Sequence, residues 1–427
     1  MKFLFEDLEN RTNFVKCKDV NPSGIKRFAY SPLLNAAHLY YSFNKELNPL
    51  EFLEFNVEHS NYIISAAVNH SPEDWTGYHP RVKSLFKYLN KKYVNDLKSG
   101  KALLLLDQSF EGYQTPWLWE FFHNEFDANK IPPQSTIYVT GNMIADETYS
   151  EWCDKHGIVS RMKVVPYTHF ELDVGMTTYH MNKENLLPDF QKHIDYKTEN
   201  LKDIKTFACL NKRTRPQRVW FYKYLYESGL LPKGMVSMNN FYNVPDNWEG
   251  KSMSQEEIKD LNESLPLLVY GKRNDEFDDN YYIRRINDQV CLDTFITVVS
   301  EAHCADGDET MFLSEKLFKP IACKQPFMVM GNKDSLRMMR KMGYKTFDGF
   351  LDETYDGLPT HERLQKIIET LREIDSIEDK IEWFKSMQSI VEYNYTNLID
   401  KLFRVPDSFA EIIKYHNNYF NIKKPTI

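Results

Sequence analysis

Short apolar runs recur along the first half of the chain, each closed by polar turn residues. Tyr62–Val68 precedes Asn69 and His70, and Ala102–Leu106 precedes Asp107, Gln108 and Ser109. Ile137–Val139 leads into Gly141 and Asn142, and Met162–Val165 into Pro166 and Tyr167. Runs that are continuously apolar, rather than alternating, mark strands buried on both faces, as in parallel sheets covered by crossover helices. After the second run, Thr115 and Pro116 offer an N-cap and a first-turn proline ahead of Trp117, Leu118, Phe121 and Phe122, which predicts a helix. The polar stretch 192–205 then interrupts the pattern. A second series follows at Thr206–Leu210, Leu267–Tyr270, Thr294–Val299 and Pro326–Met330. From Thr360 onward the pattern is helical, and one of these helices is expected to cross back onto the first domain. The pattern therefore predicts an α/β protein with domains at 1–200 and 201–359 and C-terminal helices at 360–427.

Length and composition agree with that division. A chain of 427 residues exceeds what one core usually serves, and its 42% hydrophobic and 14% aromatic content can fill two. The N-terminus mixes charges into its apolar residues, unlike a signal peptide, and no later run approaches the ~18 apolar residues of a membrane span. Cys17, Cys153, Cys209, Cys291, Cys304 and Cys323 lie scattered without a CxxC pair, which suits reduced thiols. A cytoplasmic protein is expected, bacterial or virus-encoded in a host cell. The formal charge of −8 repels polyanions from the molecule as a whole, although a local basic face could still hold one. Neither a G-x-G-x-x-G nor a G-x-x-x-x-G-K-[ST] run is present, so standard dinucleotide and P-loop sites are excluded.

Residues 294–331 carry the most chemistry. A buried strand ends in Ser300 and Glu301, a polar loop follows, and Ser314 is placed to cap a helix that begins with Glu315 and Lys316. Another strand begins at Pro326. Free backbone N–H groups and an ammonium then sit at a positive helix end, beside the strand edge where open α/β sheets bind ligands. A pyrophosphate suits this place, and Glu315 or Glu301 could bond ribose hydroxyls. The plainer alternative is a pair of first-turn charges on a solvated helix. A second segment points the same way, because the apolar run Phe207–Asn211 is followed by Lys212, Arg213, Arg215 and Arg218. Guanidinium groups grip phosphate bidentately, and a positive first turn is poor for the helix dipole unless an anion is nearby.

Ser300-Glu301, Ser314-Glu315-Lys316-Leu317 and Pro326 with Val329 resemble the donor motif of α-1,3-fucosyltransferases and related GT-B enzymes, roughly F-E-N-S…D-Y-[IV]-T-E-K-L…N-A…V-P-V-V. The strand, asparagine turn and arginine-bearing helix at 206–218 resemble the way those enzymes open their donor domain. The similarity spans residues 206–356. It departs from the motif in a longer loop between the two glutamates, in Met311-Phe312 where Asp-Tyr is usual, and in a proline one residue early. The resemblance implies two facing Rossmann-like domains of GT-B type with a helical C-terminal segment. It also implies a nucleoside-diphosphate sugar as donor, a glycan or other hydroxyl acceptor, and hexosyl or pentosyl transfer. Donor-binding residues would be Asn211, Arg213, Arg215, Arg218, Glu301, Ser314, Glu315 and Lys316, with Lys316 on phosphate and Glu315 on ribose. Positive charge can stabilise a departing diphosphate without a metal, so neither a metal nor a further cofactor is expected.

Inverting transfer needs a group to take the acceptor's proton. Asp107 and Glu111 follow the end of a predicted strand and are the catalytic candidates, while His70, His169 and Glu171 occupy equivalent strand ends on the acceptor side. Such lone groups serve equally well as caps. Residues 81–101 hold seven basic residues and one acid, with Lys83, Lys87 and Lys91 four apart on one face of a predicted helix. That face could track the phosphates of DNA or an anionic glycan, or could simply be solvated. Two alternatives follow: an enzyme that glycosylates hydroxylated bases in DNA, and a non-catalytic or structural protein that binds nucleotide sugars.

Overall fold

The computed structural model describes residues 2–5, 33, 51–52, 61–67, 86, 89, 91–109, 112, 116–241, 247–270, 286, 288–304, 306 and 310–420. The chain forms two compact units. One comprises Met1–His169, Glu309–Phe312 and Lys401–Ile427, and the other Phe170–Asp308 and Leu313–Asp400.

The first unit is built on six parallel strands: β1 (Lys2–Phe5), β2 (Glu51–Phe52), β3 (Tyr62–Ala67), β4 (Ala102–Gln108), β5 (Thr136–Thr140) and β6 (Lys163–Pro166). Their order is β2-β1-β3-β4-β5-β6. The four predicted apolar runs become β3 to β6, and β4 is buried along its whole length. Strands β1 and β2 are too short for a recognisable pattern. The Pro116–Asn129 helix forms where Thr115-Pro116 predicts it, and packs Trp119 and Phe122 against Tyr138 of β5. The basic segment 81–101 is not one continuous helix: among its described residues the α-helix runs over Lys91–Lys98. Ahead of it, Phe86 and Leu89 are buried in the core and joined by a tight turn, Leu89 N–H to Phe86 C=O at 3.2 Å. Exposed Lys91 therefore opens a helix instead of extending one, and Lys83 and Lys87 lie outside the described residues.

The second unit holds β7 (Lys205–Leu210), β8 (Gly234–Ser237), β9 (Thr294–Ser300) and β10 (Phe327–Met330), all parallel, in the order β10-β9-β7-β8. Both sheets, with helices connecting their strands, are of Rossmann-like α/β type. The apolar stretch 267–270 does not form a strand. Leu267 makes only an antiparallel bridge to Met238, while Leu268 and Tyr270 are exposed and Tyr270 turns with φ +56°. The strand beside β7 is β8, hidden by its glycine. A Cβ at Gly234 would lie 2.4 Å from the Phe207 ring, so close strand packing requires the residue that weakens the strand pattern.

Helices at His169–Lys183 and Phe190–Glu199 group with this second sheet. Lys197 is fully buried there and donates to the carbonyls of Cys291, Leu292 and Thr294 at 2.7, 2.8 and 2.7 Å. The residues from Thr360 are helical as predicted, and the last helix, Asp407–Tyr419, returns to the first unit. Ser408 donates to the Pro166 carbonyl at 2.6 Å, and Glu411 pairs with Lys163 at 2.7 Å. Among the described residues no helix is long and apolar enough to cross a membrane.

Strand order decides where a ligand belongs in the second unit. From β7 the chain passes to β8 on one side, then returns to β9 on the other. The carboxyl ends of β7 and β9 thus flank a topological switch point, the usual ligand crevice of an open α/β sheet.

Candidate functional site

At the end of β7, Asn211 is buried, with its backbone N–H bonded to Ser237 Oγ at 2.9 Å and to the Ser237 carbonyl at 3.1 Å. These bonds fix the exit of the strand. Lys212 to Arg215 then lead into the Pro216–Glu227 helix, whose N-cap is Arg215 and whose first turn has no side-chain cap. Arg218, buried in that helix, reaches across to β9. Its Nε donates to Ser300 Oγ at 2.9 Å, Nη2 to the Ser300 carbonyl at 3.1 Å, and Nη1 to the Arg213 carbonyl at 2.9 Å. These three acceptors are neutral oxygens.

At the end of β9, Glu301 is fully buried and turned inward. Its carboxylate accepts from the Ser314 backbone N–H at 2.9 Å, from the Ser314 hydroxyl, and from the Ala302 N–H at 3.2 Å. Burial pushes its carboxyl upward, opposed by Lys316 and by the Ser314 bonds. Glu301 thereby anchors the cap of the Glu315–Ala322 helix, where Ser314 is the N-cap. Lys316 Nζ donates to Glu315 Oε1 at 2.9 Å and to Ser314 Oγ at 3.1 Å. Burial works to raise the Glu315 carboxyl, but Lys316 and Lys319 outweigh it and hold it below the usual range.

These groups border a cavity of about 150 Å³, lined by Lys212, Arg218, Glu315, Lys316 and Lys319 together with an apolar floor that includes Val290 and Val299. Lys319 and Lys212 were not among the expected binding residues. Lys319 lies one helical turn beyond Lys316, so its i, i+3 spacing was the available signal. His303, in the loop after β9, is a second omission. Burial, with the Arg215 and Lys316 charges, pushes its imidazole down to about 4, which leaves it neutral at pH 7.

The expected donor residues Asn211, Arg215, Arg218, Glu301, Ser314, Glu315 and Lys316 all belong to the β7 and β9 ends or the helices that follow them. Arg213 is exposed there and contributes its carbonyl to Arg218. The loop after β9 also holds Asp306-Gly307-Asp308, an acidic D-x-D spacing that the expectation of a metal-free site overlooked. Asp306 accepts from Thr360 Oγ1 at 2.6 Å and from Arg363 Nη2 at 3.0 Å, while Asp308 lies outside the described residues.

In the first unit, Asp107 is only 1% exposed at the end of β4. One of its oxygens accepts from the Ser109 N–H at 3.0 Å and hydroxyl at 2.6 Å, and the other from the Leu33 N–H at 3.2 Å. Its carboxylate holds the turn that follows the strand. Glu111 and His70 lie outside the described residues. His169 is half-buried at the start of its helix, while Glu171 belongs to the second unit and accepts a 2.6 Å bond from Tyr344 of that same unit.

No protein-family model matches the sequence, and no curated protein matches it. Among solved structures, the chain is similar to the N-terminal domain of Candida albicans trehalose-6-phosphate phosphatase, with 9% identity, TM-score 0.42, and coverage of 98% of this chain and 96% of that one. It is also similar to α,α-trehalose-6-phosphate synthase from Burkholderia multivorans (9% identity, TM-score 0.41, 94% and 79% covered). An α1,3-fucosyltransferase is a further similar structure (10% identity, TM-score 0.35, 100% and 93% covered).

Proposed function

We propose that this protein is a glycosyltransferase of GT-B type, moving a sugar from a nucleoside-diphosphate donor to a hydroxyl acceptor with inversion. The observation that carries this reading is the cavity at the β7/β9 switch point, where Lys212, Arg218, Lys316 and Lys319 converge beside a capped helix N-terminus. In this reading the phosphates lie against Lys316 and the first-turn N–H groups, with Arg215 adding charge. Glu315 bonds the ribose, while Glu301 and Arg218 act through Ser314 and Ser300 as positioning residues.

As the acceptor oxygen forms its bond to the anomeric carbon, the bond from that carbon to the diphosphate oxygen breaks. The acceptor's proton passes to a base, and the electron pair leaves with the diphosphate. Charge thus develops where the cations already stand, the arrangement that lowers a barrier most effectively. Asp107 and Glu111 are the first candidates for that base, and the bonds of Asp107 to Leu33 and Ser109 favour Glu111 over it.

Thermal unfolding with a panel of nucleoside diphosphates and nucleotide sugars tests the reading. A ligand at 100 times its Kd stabilises the folded state by about 2.7 kcal/mol. Stabilisation together with slow donor hydrolysis is the expected result. Stabilisation without hydrolysis or transfer would identify a non-catalytic binder, and no stabilisation by any member would refute the proposal.

A further inference from the structure

We infer that Cys291 and Cys323 form an oxidisable dithiol in the wall of the cavity, which a hydroperoxide entering that cavity converts into a disulfide. The pair stands on its own residues and does not depend on the proposed function.

The fold brings the two thiols together from separate segments. Cys291 lies in the short Asp288–Leu292 helix that leads into β9, and Cys323 is the C-cap of the Glu315–Ala322 helix that leads into β10. Because β9 and β10 are parallel neighbours, the segments entering them run side by side. Gln325 fastens these segments just ahead of the strands. Its side-chain amide donates to the Thr294 carbonyl at 2.9 Å and to Thr294 Oγ1 at 3.1 Å, and Thr294 Oγ1 donates in turn to the Val290 carbonyl at 2.7 Å. Both cysteines line the cavity, neither is in a disulfide, and Cys291 is 7% exposed against 1% for Cys323. Their side chains meet in a hydrogen bond, with the Cys323 thiol donating to the Cys291 sulfur. That bond first, and burial second, hold the Cys323 thiol well above its usual range, and Asp288 adds to the effect. Lys197 stands near enough to act on both sulfurs, and Lys319 on that of Cys323. A neighbouring ammonium favours the thiolate, which is the reactive form.

Cys291, the more exposed sulfur, reacts first. As its thiolate it attacks one peroxide oxygen, the O–O bond breaks, and the hydroxide that leaves takes up the proton Cys291 lost, which gives a sulfenic acid and water. The Cys323 sulfur then attacks the Cys291 sulfur. The S–O bond breaks, and the departing hydroxide leaves with the Cys323 proton as a second water. Two thiols have given two electrons to one peroxide. A disulfide sets its sulfurs about 2.05 Å apart, closer than any hydrogen bond between thiols. It therefore draws the end of the Glu315–Ala322 helix toward Asp288–Leu292. That helix also carries Lys316 and Lys319, so oxidation reshapes the cavity wall.

Hydrogen peroxide added to the full chain, followed by alkylation and peptide mapping without reductant, tests this. A Cys291–Cys323 link should form and should disappear with dithiothreitol, while Cys153, Cys209 and Cys304 stay reduced. Cys323→Ser should stop at a sulfenic acid on Cys291, trapped by dimedone, and Cys291→Ser should leave Cys323 reduced. Cys323→Ala and Cys291→Ala give the same readouts if a serine variant does not fold, as judged by circular dichroism. No link in the wild-type protein, a link to another cysteine instead, or a Cys323 that oxidises equally well without Cys291 would overturn the inference. A nucleotide that raises the unfolding temperature should slow formation of the link by occupying the path to Cys291, and an unchanged rate with that nucleotide bound would overturn the cavity as the oxidant's route. If no nucleotide binds, the proposed function fails while the link still forms.

Discussion

Arg218 and Ser300 are joined through both the serine hydroxyl and its carbonyl, by guanidinium donors at 2.9 and 3.1 Å. The pair ties the helix after β7 to the last residue of β9, so the two strand ends at the switch point share one buried fastening. A lysine in place of Arg218 has no planar fork to reach both oxygens and the Arg213 carbonyl together.

Arg218→Lys should therefore lower folding stability by on the order of 2–3 kcal/mol, since buried acceptors lose their donors. Ser300→Ala should cost about 1 kcal/mol, because the carbonyl bond survives it. Urea denaturation measures both. Equal small effects would show that the fastening carries little of the unit's stability.

Asp107 and Glu111 should separate in opposite ways. In Asp107→Asn one carboxylate oxygen becomes an NH₂ group, facing either the Leu33 N–H or the donors of Ser109. That mismatch is worth about 1–3 kcal/mol of stability. Glu111→Gln should lower turnover by roughly a hundredfold or more, with donor affinity nearly constant. Full turnover in Glu111→Gln would move the base role to His70 or His169.

What could be read from the sequence follows burial. Strands β3 to β6, β7, β9 and β10 are covered on both faces and so appear as continuous apolar runs. Strand β8 does not, because Gly234 must pass the Phe207 ring, and residues 267–270 mislead because two of their apolar side chains face solvent. At the site, Ser314 and Lys316 were legible because a cap and a first-turn charge are local features. The inward turn of Glu301 depends on Ser314, thirteen residues away. The role of Asp107 depends on Leu33, distant by seventy-four. Sequence spacing marks where such carboxylates stand but not what tertiary packing places against them.

Stability should depend on pH through Lys197. Burial pushes its ammonium down to about 7, although three carbonyls receive its donors. The unfolded chain holds this proton up to about pH 10.4. Between those values the unfolded state binds more protons, so stability from this group rises with pH across that window and is least below pH 7. The contribution is on the order of 5 kcal/mol. Lys197→Met should flatten the profile between pH 7 and 10 relative to wild type, as measured by chemical denaturation across that range. Parallel profiles for the two proteins would mean that the carbonyls keep Lys197 charged throughout.

Turnover is expected to proceed without a divalent metal, and the Asp306-Gly307-Asp308 sequence makes this a demanding prediction. Two acids at that spacing beside a donor strand are a reasonable cation ligand set. Asp306, however, is bonded to Thr360 and to fully buried Arg363, whose guanidinium also reaches the carbonyls of Gly331 and Leu358. Drawing Asp306 toward a metal would remove the anionic partner of a buried charge, an expensive exchange. The cavity meanwhile supplies four cations of its own. Asp306→Asn should consequently reduce stability while leaving donor affinity within about twofold of wild type, because no phosphate contact is lost. EDTA should leave the rate unchanged. A rate abolished by EDTA and restored by magnesium or manganese, together with donor binding lost in Asp306→Asn, would assign the acidic pair to a metal and leave the lysines a supporting part.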